Sequence, residues 1–364
     1  MASLTNEGTR LRLKTLDALR GVAALAVCWF HMAAANGGLL SSGCLYESAR
    51  YGWLGAEVFF VVSGFVIPYA MWRGNYRIGD YGRFLLKRNC RIGPPYYAAV
   101  ALVVILWELS MLAPGFRGQS FHFDWWPLVA HVFYLNAFLG LSWLNPVFWT
   151  LAVEFQYYLL IGLVFMLLVG RRRLIRTGVT AGLLLVGMLL FKPAVPDAGH
   201  LVFNWISLFL LGIVTFQFRA GLQSRGEYLT WVAGLGAVAW FMNGAPVAVT
   251  GTVTALLIAF VELRNRVLAF FGTISYSLYL THVPVGGRVD NLLGRFANTP
   301  VERVLVVFLA MAVAVAFAAG FYWLVERPAV RWAASFSYRA RKKIGGPAGE
   351  KTFDAGSVAG GVVP

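Results

Sequence analysis

The sequence predicts an all-α, polytopic integral membrane bundle of about ten transmembrane helices with both termini in the cytoplasm. Three observations carry that expectation. Hydrophobic residues make up 59% of the 364-residue chain and charged residues only 13%, where soluble domains carry about 25% charged residues. Apolar runs recur from Leu19 onward, and runs of about 18 residues at ~1.5 Å per residue are long enough to cross a ~30 Å bilayer core. The basic residues, which set a net charge of +15, lie in short segments between those runs. A positive-inside bias accounts for that distribution better than a nucleic-acid surface does, and no nucleic-acid partner is expected.

The N-terminal stretch is polar for too long before its first apolar run to resemble a cleaved signal peptide, so that run is expected to remain as a helix. Spans are expected over residues 18–36, 53–72, 94–113, 147–169, 174–192, 201–218, 228–242, 246–263, 267–285 and 301–325. The stretch 124–142 (DWWPLVAHVFYLNAFLGLS) is aromatic and only moderately apolar, and it carries His131 and Asn136. Charge decides its status. If it does not cross, 25 of the 31 Lys and Arg residues fall on the cytoplasmic side and only Arg50, Arg117, Lys192, Arg288, Arg295 and Arg303 fall outside. A crossing would turn the Arg171–Arg172–Arg173 cluster outward, so 124–142 is read as re-entrant or interfacial.

Segment 73–91 is expected to form a basic amphipathic helix on the cytoplasmic surface, with Pro94–Pro95 opening the third span. The GVTAG run at 178–182 suggests a small-residue packing face. Trp53, Trp72, Trp125, Trp126, Trp149, Tyr322 and Trp323 mostly read as interface belts. The domain organisation expected is a cytoplasmic segment over 1–17, a transmembrane domain over 18–333, and a Gly-rich cytoplasmic tail over 334–364 that is disordered. The location expected is a bacterial-type inner membrane, with its lipids as partners. Cys28, Cys44 and Cys90 show no spacing for a disulfide framework or a metal site, and no metal is expected. There is no G-x-S-x-G elbow, no H-E-x-x-H and no P-loop.

Ionisable residues inside spans are costly and point to function. His31, Glu57, Glu154 and His282 are such residues. Arg20 and His31 stand eleven positions apart, about three helical turns, so they share a face ~16 Å apart along the axis. Asp17 lies near the same stripe one turn earlier. With the topology above, the two histidines and two glutamates fall in one layer in the outer half of the membrane. Arg20, Arg88 and Arg91 mark its cytoplasmic edge. Guanidinium groups bind phosphate through paired hydrogen bonds, and imidazole suits general-base work. A donor with phosphates at one end, a long thin arm, and a thioester at the other end fits both layers, as coenzyme A does. Structural readings stand beside this one. The arginines serve as anchors in them, the histidines as interhelical hydrogen-bond donors, and the glutamates as partners of arginines. A transporter or flippase explains the helices and buried charges but not the spacing of Arg20 and His31, and no inverted repeat is visible.

Six segments then resemble, in order, the motifs of the acyltransferase-3 family of membrane-bound acyltransferases. They are LDALRGVAALAVCWFHM (16–32), GAEVFFVVSGFVI (55–67), RFLLKRNCRIGPPYY (83–97), FWTLAVEFQYYL (148–159), ISYSLYLTHVPV (274–285) and LVERPAVRW (324–332). The resemblance covers Leu16 to Trp332. It implies transfer of an acyl group, most often acetyl, from acyl-CoA (acetyl-CoA) to a hydroxyl of a carbohydrate or lipid-linked sugar. It implies His31 and Glu154 as catalytic residues, and Arg20, Arg88 and Arg91 as the donor-binding set. Glu57 stands where the family often has Asp. Asp17, Glu57, Ser275, Tyr276 and His282 are further candidates.

Overall fold

A computed structural model describes residues 6–35, 39–112, 125–191 and 200–336, with side chains from Lys14 onward. All regular structure among these residues is helical. The first half of the chain gives α1 (Asn6–Ala33), α2 (Cys44–Ala49), α3 (Gly55–Arg73), α4 (Tyr81–Met111), α5 (Trp125–Val132), α6 (Asn136–Leu139) and α7 (Phe148–Leu168). The second half gives α8 (Arg173–Leu190), α9 (Ile206–Arg219), α10 (Arg225–Asn243), α11 (Ala245–Phe260), α12 (Arg266–Thr273), α13 (Ser275–Leu293), α14 (Pro300–Phe321) and α15 (Arg327–Ala334). Among the described residues, seven helical stretches are long and apolar enough to cross a membrane: Lys14–Ala33, Cys44–Arg73, Ile78–Met111, Phe148–Leu168, Arg173–Leu190, Val202–Arg219 and Pro300–Ala334. Helices α10, α11 and α13 occupy the other three stretches expected to span but are not among the seven. Helix α11 has 16 residues, α10 opens on Arg225 and Glu227, and α13 carries His282, Arg288 and Asp290.

Position follows apolar content. Helix α9 is apolar nearly all round and is buried from Ile206 to Gln217, as a helix without a polar face should be. Helices α8 and α14 lie at the periphery and expose Leu174, Leu189, Val301 and Leu305. Such apolar surface suits contact with lipid chains. Helix α1 packs against α3, α12, α13 and α14 and so forms the centre of the half that holds His31.

Helices α3 and α9 cross in close contact. A Cβ on Gly212 would meet the Val61 carbonyl oxygen at 2.2 Å, and one on Gly64 would meet the Phe209 carbonyl oxygen at 2.3 Å. The two backbones therefore touch through paired glycines. The GVTAG run does not play this part, because nothing lies within 4 Å of a Cβ added at Gly178 or Gly182. Gly212→Leu is expected to separate α3 from α9 and cost more than the ~1–3 kcal/mol of ordinary overpacking. Its fraction of monodisperse protein on size-exclusion chromatography should collapse, whereas Gly178→Leu should match wild type.

Several boundaries differ from the sequence expectations. Helix α1 begins at Asn6 rather than at residue 18. Segment 81–91 is no separate surface helix. It is the first part of α4, which runs without a break through Pro94 and Pro95. Proline inside a helix removes a backbone donor, yet tertiary packing on α13 and α15 keeps the helix going, and the Tyr276 hydroxyl donates to the Ile92 carbonyl at 2.8 Å. The expected span 267–285 divides at Ile274 into α12 and α13. Gly272 there lies against the Asp17 backbone, where a Cβ would meet the Asp17 oxygen at 2.1 Å. His282 accordingly sits in the body of α13, not near a helix end. After α14 the chain makes one π-helical turn over Tyr322–Glu326 before α15.

Residues 125–139 form two short helices of 8 and 4 residues, and 8 residues span only ~12 Å. His131 ties this segment down. Its Nδ1 lies 2.7 Å from the Pro127 carbonyl, which it can only reach as a donor, and its Nε2 accepts the Leu144 N–H at 3.2 Å. Both ring nitrogens are thereby used in structure. The expected tail over 334–364 lies almost wholly outside the described residues.

Candidate active site

Helices α1, α3, α4, α7 and α13 and the π-helical turn surround a cavity. Its polar wall is formed by Arg20, Arg88, Arg91, Glu154 and Glu326. Continuity of the helices explains how these meet. The R-x-x-R pair lies on α4 at a three-residue interval, which puts both guanidiniums on one face. Arg20 projects from α1 toward the same space. Arg88 is buried, with its guanidinium 5.7 Å from the Phe84 ring centroid and 6.0 Å from that of Tyr158. Its Nε has no hydrogen-bond partner. Among the described residues, none of the three arginines forms an ion pair or a hydrogen bond.

The two carboxylates on the wall have other partners. Glu154 Oε1 accepts from the Ser63 hydroxyl and from the Tyr158 hydroxyl, both at 2.7 Å. Glu326 Oε2 accepts from the Ser277 N–H at 3.1 Å and its hydroxyl at 2.5 Å. Three arginines and two hydrogen-bonded carboxylates thus line one space, with one guanidinium in excess of the acids. Burying an uncompensated charge costs several kcal/mol, so such a wall calls for an anion.

The histidines form a second centre. His31 Nδ1 lies 3.2 Å from His282 Nε2, and the rings meet at 62° with centroids 5.0 Å apart. His31 Nδ1 also lies 2.9 Å from the Val27 carbonyl, and His282 Nδ1 lies 2.9 Å from the Leu278 carbonyl. Tyr279 stands between the two centres. It lines the cavity, hydrogen-bonds Thr150 at 2.9 Å, and has its ring centroid 6.1 Å from that of His282. Arg20 and His31 share the unbroken helix α1, so the arginine end of the cavity and the histidine pair lie ~16 Å apart along its axis, with Tyr279 at the cavity's other end beside His282.

The remaining candidates divide. Glu57 is buried, its Oε2 has no hydrogen-bond partner, and it is not on the cavity wall. Tyr276 lines the cavity. Ser275 is buried and its hydroxyl donates to the Gly272 carbonyl at 2.8 Å, a bond within the α12–α13 turn. Asp17 is partly buried on α1, where its backbone packs on Gly272. Glu154 is not hydrogen-bonded to His31. Sequence reading missed Ser63, Tyr158, Thr150, Tyr279 and Glu326. Glu326 left a signal, as an ionisable residue at the end of an apolar run; the hydroxyl residues left only their place within the family-like segments 55–67, 148–159 and 274–285. Trp149, expected in an interface belt, turns inward and packs on Phe60 and Trp205 with ring centroids 6.1 and 5.5 Å apart. Among the described residues no group of three or more His, Cys, Asp or Glu side chains could hold a metal ion.

The model of the acyltransferase domain of the acyltransferase-3 family matches residues 13–323. The chain belongs to this family. The match takes in every helix around the cavity and ends within the π-helical turn that carries Glu326. The peptidoglycan O-acetyltransferase OatA of Listeria monocytogenes is 28% identical over 166 residues, 43% of this chain and 24% of the relative. The O-acetyltransferase OatA of Staphylococcus aureus is 23% identical over 321 residues, 75% of this chain and 50% of the relative. The chain thus spans half or less of the length of these two relatives. A putative acetyltransferase of Acidianus two-tailed virus is 26% identical over 322 residues, 83% of this chain and 88% of the relative. No solved structure matches the chain. The apolar helices and the family together make this acyltransferase-3 member an integral membrane protein.

Proposed function

We propose that this acyltransferase-3 protein transfers an acyl group, acetyl first among candidates, from acyl-CoA to a hydroxyl of a carbohydrate or lipid-linked sugar. The observation that carries this reading is the cavity wall of three unpaired arginines on the same side of α1 as the histidine pair. Arg20, Arg88 and Arg91 hold the donor phosphates. The acyl arm extends ~16 Å past Tyr279 toward His31. His31 takes the proton of the acceptor hydroxyl as its oxygen attacks the thioester carbonyl carbon. The C–S bond breaks, and the CoA thiolate receives that proton and leaves as the free thiol, so proton and electron pairs balance. Glu154, held by Ser63 and Tyr158, faces the cavity and orients substrate there. The carbohydrate acceptor is supported by the peptidoglycan O-acetyltransferase among the relatives.

The topology that goes with this reading has ten spans, a cytoplasmic segment over 1–17, the transmembrane domain over 18–333, and a cytoplasmic tail over 334–364, in a bacterial-type inner membrane. It puts the arginine cavity on the cytoplasmic side, where acyl-CoA is made. The test is release of free CoA thiol by the purified protein in liposomes, supplied with acetyl-CoA and a membrane glycan fraction. Thiol should appear in step with acetylated glycan. No thiol release with acetyl-CoA or longer acyl-CoAs would sink the proposal.

A further inference from the structure

The histidine pair carries more than a general-base assignment, because its hydrogen bonds leave only one arrangement of protons. The Leu278 carbonyl can only accept, so His282 Nδ1 at 2.9 Å must carry a hydrogen. A neutral His282 then has its lone pair on Nε2. The Val27 carbonyl likewise can only accept, so His31 Nδ1 at 2.9 Å must carry a hydrogen. That single N–H is shared between Val27 and His282 Nε2 at 3.2 Å. The lone pair of His31 is thereby left on Nε2, and no described residue hydrogen-bonds that nitrogen.

We propose that His282 is the positioning residue for His31, accepting its Nδ1–H so that Nε2 is the atom that takes the acceptor proton. This rests on the reading of His31 as general base. His282 is suited to the part. It is fully buried in α13, its own tautomer is fixed by the helix backbone, and α13 packs directly on α1. When His31 Nε2 gains the proton, Nδ1 keeps its hydrogen and its two acceptors, so the imidazolium forms without reorganising the pair. A hydrogen-bonded acceptor behind a catalytic imidazole fixes both its tautomer and its ring orientation. Here that acceptor is neutral, and it lies 251 positions away in the chain.

The test joins a spectroscopic readout to a kinetic one. Nitrogen-15 NMR of histidine-labelled protein should show His31 protonated on Nδ1 and bare on Nε2. It should also show a scalar coupling across the N–H···N bond to His282. In turnover, His282→Phe keeps the ring's bulk but offers no acceptor, and should lower kcat about a hundredfold, within the range of general-base effects. Its KM for acetyl-CoA should stay within twofold. His282→Gln presents an amide oxygen near the place of Nε2 and should recover most of the loss. A wild-type spectrum with the hydrogen on His31 Nε2 would overturn the proposal. So would equal losses in the Phe and Gln variants, which mark a packing role, or wild-type rates in both. If wild type releases no CoA thiol while the spectrum keeps the Nδ1–H tautomer and the coupling, the acyl-transfer reading fails and the pairing stands on the spectrum.

Discussion

His31→Ala should lower acyl transfer by about a thousandfold, within the 10²–10⁴ range of a general base, and leave the protein folded with its donor affinity within twofold of wild type. The expectation of intact binding comes from position. His31 does not line the arginine cavity; it sits about three turns further along α1. The expectation of lost chemistry comes from the free Nε2. His31→Gln should fail as completely, since an amide preserves shape but cannot take a proton. The measurement is incorporation of labelled acetyl from acetyl-CoA into membrane glycans at matched expression, with acetyl-CoA affinity measured on the same preparations. Label at wild-type level in His31→Ala would remove the residue from the chemistry. Attention would then pass to Glu154, the carboxylate on the cavity wall nearest to a mechanism in its own right.

What the sequence disclosed and what it hid divide along a physical line. A continuous helix is a ruler, so the relation of Arg20 to His31 and that of Arg88 to Arg91 could be read from spacing alone. The family, too, was legible from six ordered motifs, and the match over residues 13–323 bears it out. Contacts between distant segments were not legible. Nothing in the sequence pairs His31 with His282, Ser63 with Glu154, or Gly64 with Gly212, because such contacts depend on helix crossings rather than on period. Local rules also misled where packing overrode them. Pro94–Pro95 suggested the start of a helix and lies within one. Gly178 and Gly182 suggested a packing face and meet nothing. The apolar run over 267–285 concealed a break at Ile274, because hydropathy does not register the close approach of Gly272 to the α1 backbone. That break is what moves His282 into the body of α13, level with its partner.

The second large effect is expected at the arginines. A charge-assisted hydrogen bond contributes about 1.5–3 kcal/mol, so removal of one guanidinium should weaken acetyl-CoA binding by roughly 10- to 100-fold. Arg88→Ala should lie at the upper end. Arg88 is buried, its Nε is unpartnered, and it is held between Phe84 and Tyr158, so it pays little to meet a phosphate. Arg88→Lys should recover only part of the loss, since an ammonium offers no planar fork. Arg20→Ala and Arg91→Ala should behave alike, while Arg50→Ala should have no effect, because Arg50 is exposed and paired with Glu47 at 2.8 Å. The comparison separates a built anion site from the general excess of positive charge. Raising ionic strength should weaken donor binding in wild type less than screening of exposed charges would predict, since groups removed from water are screened less. Glu326 supplies the complementary sign. It faces the same space as the arginines and is held by Ser277, so Glu326→Gln should tighten donor binding where Arg88→Ala loosens it. Calorimetric titration with acetyl-CoA decides among these. Unchanged affinity in all three arginine variants would remove the phosphates from this cavity. Equal small losses that include Arg50→Ala would reduce the arginines to bulk charge.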